Sequence, residues 1–446
     1  MSQKKKILVA GFWVILIFGL SQIIRLGSNL VVTRILEPEM FGVMAIVTVV
    51  AIGIAMFSDL GLWAFVVRHK NPTNPRLLSA VWTIQVIRGW LTLLVIGLIA
   101  LVIMFGNQYF PQFFEGVYAD PRLPILIFVA GIPSVINGYR SMASAVMSRQ
   151  MQHGKLELIE LASQILSVAV VIAWVLVYPS IWALVAAGIL SSIVGTFLSY
   201  RLFPFRHSLV WDRAIAKEVF DFGKWIVVSS ILTYLFMQGD KLFLAGKITA
   251  GELGVYSIAF MLSGVLISVT NSVAAKIVFP ALSSVVHKDR KSLKEKYYKI
   301  RIYLDLSNFL AAGVLIALAP TIVELLYDAR YSGAGWMFQI LMFSLVGNAL
   351  ALIPIQCLSA LSVTKLNMWV MMVRSIGLLV GLPVTYYFYG LYGAVWVVAI
   401  IPFLALPIIY WNLSQHAVFS FYKEIRMLPV VGLGYIIAKC FLYLIS

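Results

Sequence analysis

Ten ionisable side chains fall inside long apolar stretches of the sequence: Arg25, Asp59, Arg88, Arg140, Lys224, Asp240, Lys241, Lys276, Asp305 and Arg374. A charge surrounded by hydrocarbon is costly and is kept where it binds or moves something. Basic groups outnumber acidic ones here, seven to three. A set of this kind attracts an anion, and arginine can grip phosphate oxygens in a two-pronged fork. Arg25, Arg88, Arg140, Lys241 and Arg374 therefore form the expected cationic lining of a binding cleft. Asp59 and Asp240 are carboxylates suited either to ion coupling or to an ion pair. Arg25 and Asp59 lie on consecutive helices, so a structural pair between them is the competing account of both.

The remaining three sit near the ends of their stretches. Lys224, Lys276 and Asp305 are expected to extend their polar ends to the water interface. Amides at Gln22, Asn29, Gln85, Asn137, Gln164, Gln238, Asn271 and Asn348 could bind sugar hydroxyls or hydrogen-bond between helices. Asp59 falls opposite Asn271 in the repeat register described below, so a coupling carboxylate would belong to one half only. Glu157 and Glu160 open a helix and complement its dipole.

Covalent chemistry has no recognisable apparatus. There is no GxxxxGK[ST] loop, no nucleophile elbow and no HExxH sequence. The five histidines fall singly in loops, and Cys357 and Cys440 sit in apolar segments. Neither a metal site, a cofactor nor a disulfide framework is expected, and the chain does not read as an enzyme.

These side chains must be positioned by helices that cross a bilayer. Of 446 residues, 61% are hydrophobic and 12% charged, and the mean hydropathy is +0.95. A soluble domain carries roughly 25% charged residues. Apolar runs near the ~20 residues of a membrane helix recur from end to end. Helices are expected at 11–33, 41–67, 77–105, 123–148, 156–178, 180–203, 219–246, 254–280, 301–327, 334–361, 365–388 and 391–413. A final run, 428–445, is long enough for a thirteenth span, or for a surface or re-entrant segment. The MSQKKK start resembles a secretory leader, but the apolar stretch after it is too long and lacks a cleavage site. It is expected to be the first span, with Lys4, Lys5 and Lys6 cytoplasmic.

Charge tests this threading. Alternate loops carry twenty-two Lys and Arg residues, and the opposite loops only Arg34, Arg122, Lys247 and Arg330. Positive charge collects in cytoplasmic loops, so one missed span would destroy the alternation. The net charge of +16 then reports topology. No basic, aromatic soluble domain exists to bind nucleic acid. The dense run 287–301 is expected to be a solvated cytoplasmic extension.

The chain also repeats itself. Residues 11–46 align with 223–258 without a gap, matching Gly11/Gly223, Trp13/Trp225, Gly27/Gly239 and Gly42/Gly254 among others. The offset spans six helices, an even number, so the halves share one orientation and are related by an axis along the membrane normal. The expected fold is an all-α membrane protein of two six-helix bundles, 1–203 and 219–413. A linker at 204–218 joins them, and 414–446 follows as a loop and extra apolar segment.

Two segments resemble a known family. RILEPEMFGVMAI at 34–46 resembles the R-x-L-G-P-E-x-[FY]-G loop of polysaccharide exporters. FSDLGLWAFVVR at 57–68 resembles the D-x-G-[LF] segment that ends their second helix. Glu37 stands where the family often has Gly. The chain is identified as a member of the Wzx-like oligosaccharide flippases of the multidrug/oligosaccharidyl-lipid/polysaccharide exporter superfamily. The resemblance implies a polyprenyl-diphosphate-linked oligosaccharide as cargo, moved from the cytoplasmic to the periplasmic leaflet of the inner membrane. It also implies roles for Arg25 and Asp59, since the family places functional Arg and Asp in its first helices.

On this reading two bundles rock around a cationic cleft, and the polyprenyl tail stays in lipid between helices. H⁺ or Na⁺ antiport would drive the cycle through Asp59. Membrane lipids and other polysaccharide assembly proteins are the expected partners. A multidrug exporter of the same superfamily is the alternative, although its cationic cargo suits an acidic cleft. A peptidoglycan-precursor flippase would differ only in substrate. A membrane glycan polymerase or ligase would need a large outer loop, and the longest here is 106–122.

Overall fold

Apolar runs this long leave backbone amides without water, so each must close its own hydrogen bonds as a helix. A computed structural model describes residues 3–149, 153–363 and 365–445, and among them there is no strand. Among the described residues, nine helical stretches are long and apolar enough to cross a membrane, or eleven if each of two bent pairs is one span. One of the nine, Lys365–Gln415, is 51 residues long, far beyond a single crossing. It turns back at Gly390, whose φ of 59° and ψ of −146° suit glycine. A Cβ there would meet no atom within 4 Å, so conformation and not crowding calls for glycine. With α1 (Gln3–Ile35), these segments fall where the expected helices were placed. The Trp13 and Trp225 side chains and those of Lys4–Lys6 lie outside the described residues.

Contacts divide the chain into two compact units. The first comprises Met1–Tyr234 with Leu244–Gly254, and the second Leu235–Phe243 with Val255–Ser446. In the first, α2 (Pro38–Phe57) and α3 (Leu62–Arg68) are separated by a short break. They are followed by α4 (Pro75–Tyr109), α5 (Leu123–Ala130), α6 (Ile132–Gly138) and α7 (Ala143–Arg149). The expected helix 123–148 is thus broken, with a 69° bend before α7. α8 (His153–Val177), α9 (Trp182–Leu202) and most of α10 (Arg213–Ala245) complete the unit. Leu62, Val66, Leu77, Leu78, Val81 and Val219 form one of its buried cores.

Glycine sets one helix crossing in this unit. A Cβ on Gly42 would lie 1.8 Å from the Ala250 carbonyl oxygen, and one on Gly254 1.9 Å from the Pro38 carbonyl oxygen. Ala250 and Gly254 follow Pro38 and Gly42 at the repeat offset. Each helix start therefore gives its mate the contact it receives, as across a local twofold axis. Gly42→Val should force these backbones apart and cost about 1–3 kcal/mol by overpacking. Thermal unfolding of the detergent-solubilised protein reads this out. Gly264→Ala, which meets open space, is the control, and equal midpoints for the two variants would contradict the crossing.

The second unit holds α11 (Ala250–Val273) from Val255 onward, a π-helical turn at Ala274–Val278, α12 (Phe279–Lys288) and α13 (Leu293–Leu326). α14 (Ala334–Leu341), α15 (Phe343–Ala360), α16 (Lys365–Leu404) and α17 (Leu406–Gln415) follow. The short α18 (Phe421–Ile425) leads into α19 (Pro429–Ile445). The run 428–445 is therefore a helix, and it packs closely on α13. A Cβ on Gly313 would sit 2.0 Å from the Val431 oxygen, and one on Gly434 2.5 Å from the Leu310 oxygen. Small residues allow such approach where no water drives helices together.

The expectation that 287–301 is solvated needs a correction at its end. Arg301 is 1% exposed, and Asp305, expected to reach the interface, is also 1% exposed. Arg301 Nε lies 2.9 Å from Asp305 one turn on, and Nη1 lies 2.6 Å from Glu424 of α18. Tyr297 and Tyr298 hydroxyls donate to Glu424 Oε1 at 3.1 and 3.0 Å. Asp305 is buried because Glu424 arrives from distant sequence and shares its counter-ion.

Candidate functional site

Asp59 owes its position to the break after α2. Its Oδ1 accepts the Gly61 N–H at 3.0 Å, a local turn that aspartate makes readily. Gly61 has φ 64° and starts α3 in the left-handed region, which glycine occupies without steric cost. The carboxylate is thereby aimed at α4, where Arg88 Nη1 donates to it at 3.0 Å.

One turn before Arg88, Gln85 reaches the opposite wall. Its Nε2 lies 2.9, 3.0 and 3.1 Å from the carbonyls of Asn137, Gly138 and Arg140. At the bend between α6 and α7 the regular helical ladder ends. The Asn137 carbonyl accepts the Arg140 N–H at 3.1 Å, and the buried Gln85 amide lies within reach of all three carbonyls. Asn137 donates to Ser192 Oγ at 3.2 Å. Arg140 is held by Glu160 of α8 at 2.5 Å.

These side chains line adjoining cavities. One of about 220 Å³ is bordered by Trp63, Gln85, Arg88, Asn137, Arg140, Ser141, Met142 and Ser144. A second, about 430 Å³, shares Trp63, Gln85, Arg88 and Met142 and adds Asp59. A third, about 560 Å³, is walled by Val50, Ile54, Phe57, Ile84, Leu91 and Val95, with Arg88 at its edge. Arg88 therefore borders all three. Its side chain is 28% exposed and that of Asp59 51%, so the guanidinium is fixed on one edge and open on others. Arginine has five N–H donors, and Asp59 engages one of them.

Asp59, Arg88 and Arg140 of the expected set thus come together in the first unit. Arg25 does not join Asp59. It is exposed on α1 and makes no ion pair among the described residues. Trp63 and Glu160 are additions. Glu160 does more than complement a helix dipole, since it holds Arg140, and only the fold brings that pair together.

The second unit holds the other expected residues. Asp240 is 2% exposed and its Oδ2 accepts the Tyr256 hydroxyl. Its Oδ1 has no hydrogen-bond partner among the described residues. Lys241 Nζ sits 4.6 Å over the Phe260 ring. Arg374, 5% exposed, lies 5.6 Å over Phe236, and its Nε and Nη2 are unbonded among the described residues. Aromatic faces can hold buried cations in this way.

The segment after α9 closes one side of the first unit. His207 lies 3.2 Å from Ser141 Oγ and stacks on Trp82 with ring centroids 5.3 Å apart. Burial pushes its pKa down to about 4, so the ring is neutral at pH 7. No group of three or more metal-ligating side chains occurs among the described residues.

Known proteins resemble this chain in sequence and in fold. A family model described as "Polysaccharide biosynthesis protein" matches residues 31–336. The chain is 22% identical over 351 residues to the lipopolysaccharide biosynthesis protein WzxC of Escherichia coli K12, covering 76% of this chain and 67% of that one. It is 23% identical over 268 residues to the succinoglycan biosynthesis transport protein ExoT of Rhizobium meliloti, covering 59% and 51%. These alignments span half to two thirds of the relatives' own lengths. The solved structure of the lipid II flippase MurJ, in an inward closed conformation, superposes with a TM-score of 0.67 at 11% identity. That superposition covers 97% of this chain and 99% of MurJ, a likeness of fold.

Proposed function

The chain belongs to the polysaccharide biosynthesis protein family, and from that premise we propose that it flips a polyprenyl-diphosphate-linked oligosaccharide across the inner membrane. The observation that carries this reading is the polar cavity shared by Arg88 and Arg140 inside an otherwise apolar helical unit. Two guanidinium groups suit a diphosphate. Gln85, Asn137, Ser141 and Ser144 offer donors and acceptors for sugar hydroxyls, and Trp63 offers a ring face. Relatives named for lipopolysaccharide biosynthesis and succinoglycan transport support a glycan cargo.

The cargo moves from the cytoplasmic to the periplasmic leaflet, with the N-terminus cytoplasmic by the distribution of loop charge. The bundles 1–203 and 219–413 rock during the cycle, the 204–218 linker joins them, and 414–446 follows the second. Asp59 is the carboxylate best placed to couple H⁺ or Na⁺, because a phosphate that takes Arg88 releases it. Asp240 is the second candidate. Other polysaccharide assembly proteins deliver and receive the cargo. A multidrug exporter with cationic cargo fits less well, since Asp59 and Glu160 are each taken by an arginine.

Proteoliposomes carrying a fluorescent polyprenyl-diphosphate oligosaccharide test this directly. Purified protein should make the inner-leaflet fluorophore accessible to an external quencher, and empty liposomes should not. Export of a cationic dye without any lipid flipping would move the protein to the drug exporters.

A further inference from the structure

The 560 Å³ cavity beside Arg88 is not needed for a sugar or a diphosphate. Its walls are hydrocarbon: Val50, Ile54 and Phe57 from α2, and Ile84, Leu91 and Val95 from α4. Two of its polar groups are already hydrogen-bonded to backbone carbonyls. The Tyr234 hydroxyl donates to the Val49 carbonyl at 3.1 Å, and Ser58 Oγ to the Ala55 carbonyl at 3.0 Å. Arg88 alone brings a charge to it.

The space is built into the fold. Gly53 stands where a Cβ would lie 2.6 Å from the Tyr234 ring, and Phe57 holds that ring edge-on with centroids 4.9 Å apart. The cavity is also open, since Phe57 is 37%, Leu91 56% and Val95 42% exposed. Leu91 continues into a groove of about 790 Å³ along α4 and α5, lined by Trp90, Leu94, Leu98, Leu101 and Phe128. A ligand that fills this path is a long hydrocarbon whose anionic end meets Arg88. Such volumes are in the range of ordinary ligand pockets, ~300–1,000 Å³.

We infer that the apolar cavity between α2 and α4 seats the first isoprene units of the lipid carrier, with Arg88 holding the adjoining phosphate. The inference rests on the proposed flippase activity and changes one expectation of it. The start of the tail enters the protein, and the groove along α4 leads the remainder out to lipid. The charge at the inner end of the path selects a phosphorylated lipid over a neutral one.

Photolabelling tests the site in proteoliposomes of the full chain. The probe is a polyprenyl-diphosphate oligosaccharide with a diazirine on its second isoprene unit. Adducts should map to 50–57 and 84–95, and excess unlabelled carrier should remove them. Filling the cavity with Val95→Trp should cut labelling and flipping at least tenfold. It should also collapse the preference for tailed over tail-less oligosaccharide diphosphate, with the melting midpoint checked for folding. Where Val95→Trp does not fold, Ile84→Met with the same binding ratio replaces it. Adducts lying wholly elsewhere while wild type flips would overturn the inference, as would their removal by phosphatidylglycerol. Absence of wild-type flipping is a separate result and counts against the proposed function.

Discussion

Arg88→Ala should lower flipping of the lipid-linked oligosaccharide by about 10–100-fold at sub-saturating cargo. A hydrogen bond to a charged group contributes about 1.5–3 kcal/mol, and each 1.4 kcal/mol is about tenfold in affinity. Arg88 borders the two polar cavities and the apolar one, so its loss removes the charge at the junction of the three. Arg88→Lys should recover only part, because an ammonium cannot make the two-pronged grip. Asp59→Asn should act the other way on binding. It frees the Nη1 donor now held at 3.0 Å, and a half-exposed pair of this kind contributes about 0–1 kcal/mol. Headgroup binding should tighten by up to about fivefold while the melting midpoint barely moves. Equilibrium binding of the oligosaccharide diphosphate, measured beside flipping, separates these effects. Undiminished flipping by Arg88→Ala would remove the cation from the mechanism.

The largest effect on stability is expected at Arg301. Its side chain and those of Asp305 and Glu424 are 1%, 2% and 0% exposed. Arg301→Met leaves two buried carboxylates without their shared guanidinium, and breaking such a group costs about 3–5 kcal/mol. Glu424→Gln should cost less, since the amide oxygen still accepts from Tyr297 and Tyr298. The triple variant Arg301→Met, Asp305→Leu, Glu424→Leu should regain most of the loss, because a well-packed apolar replacement avoids the desolvation of three charges. Unfolding midpoints in detergent order the three variants. A midpoint for Arg301→Met within a degree of wild type would refute the buried network. The same contacts tie α18 to α13, and Gly313 and Gly434 set α19 against α13. Destabilisation should therefore first appear as protease sensitivity in the segment 416–428.

Much of the architecture was legible because hydrocarbon imposes a simple rule. A chain in lipid must be helical, and its length per crossing is set by bilayer thickness. Apolar run lengths and alternating loop charge therefore placed the helices. The glycine matches at one offset pointed to an internal repeat, and only the structure showed that the matched Gly42 and Gly254 form a close helix crossing. Helix breaks were less legible. The carbonyls at the bend before α7 are met by Gln85, which reaches them from another helix.

The site divides in the same way. The sequence alone determined that charge lies within apolar helices and that basic groups outnumber acidic ones there, since the cost of burying charge leaves few such residues. It also singled out Asp59, Arg88 and Arg140. Only the tertiary structure decided the partners. Asp59 went to Arg88 and not Arg25, Arg140 went to Glu160, and Arg301 left its solvated run for Asp305 and Glu424. Ion pairing is a matter of a few ångströms between helices, and hydropathy along one helix carries no information about that distance. The boundary between polar and hydrocarbon-lined cavities at Arg88 was decided there too, because a cavity is bounded by several helices at once.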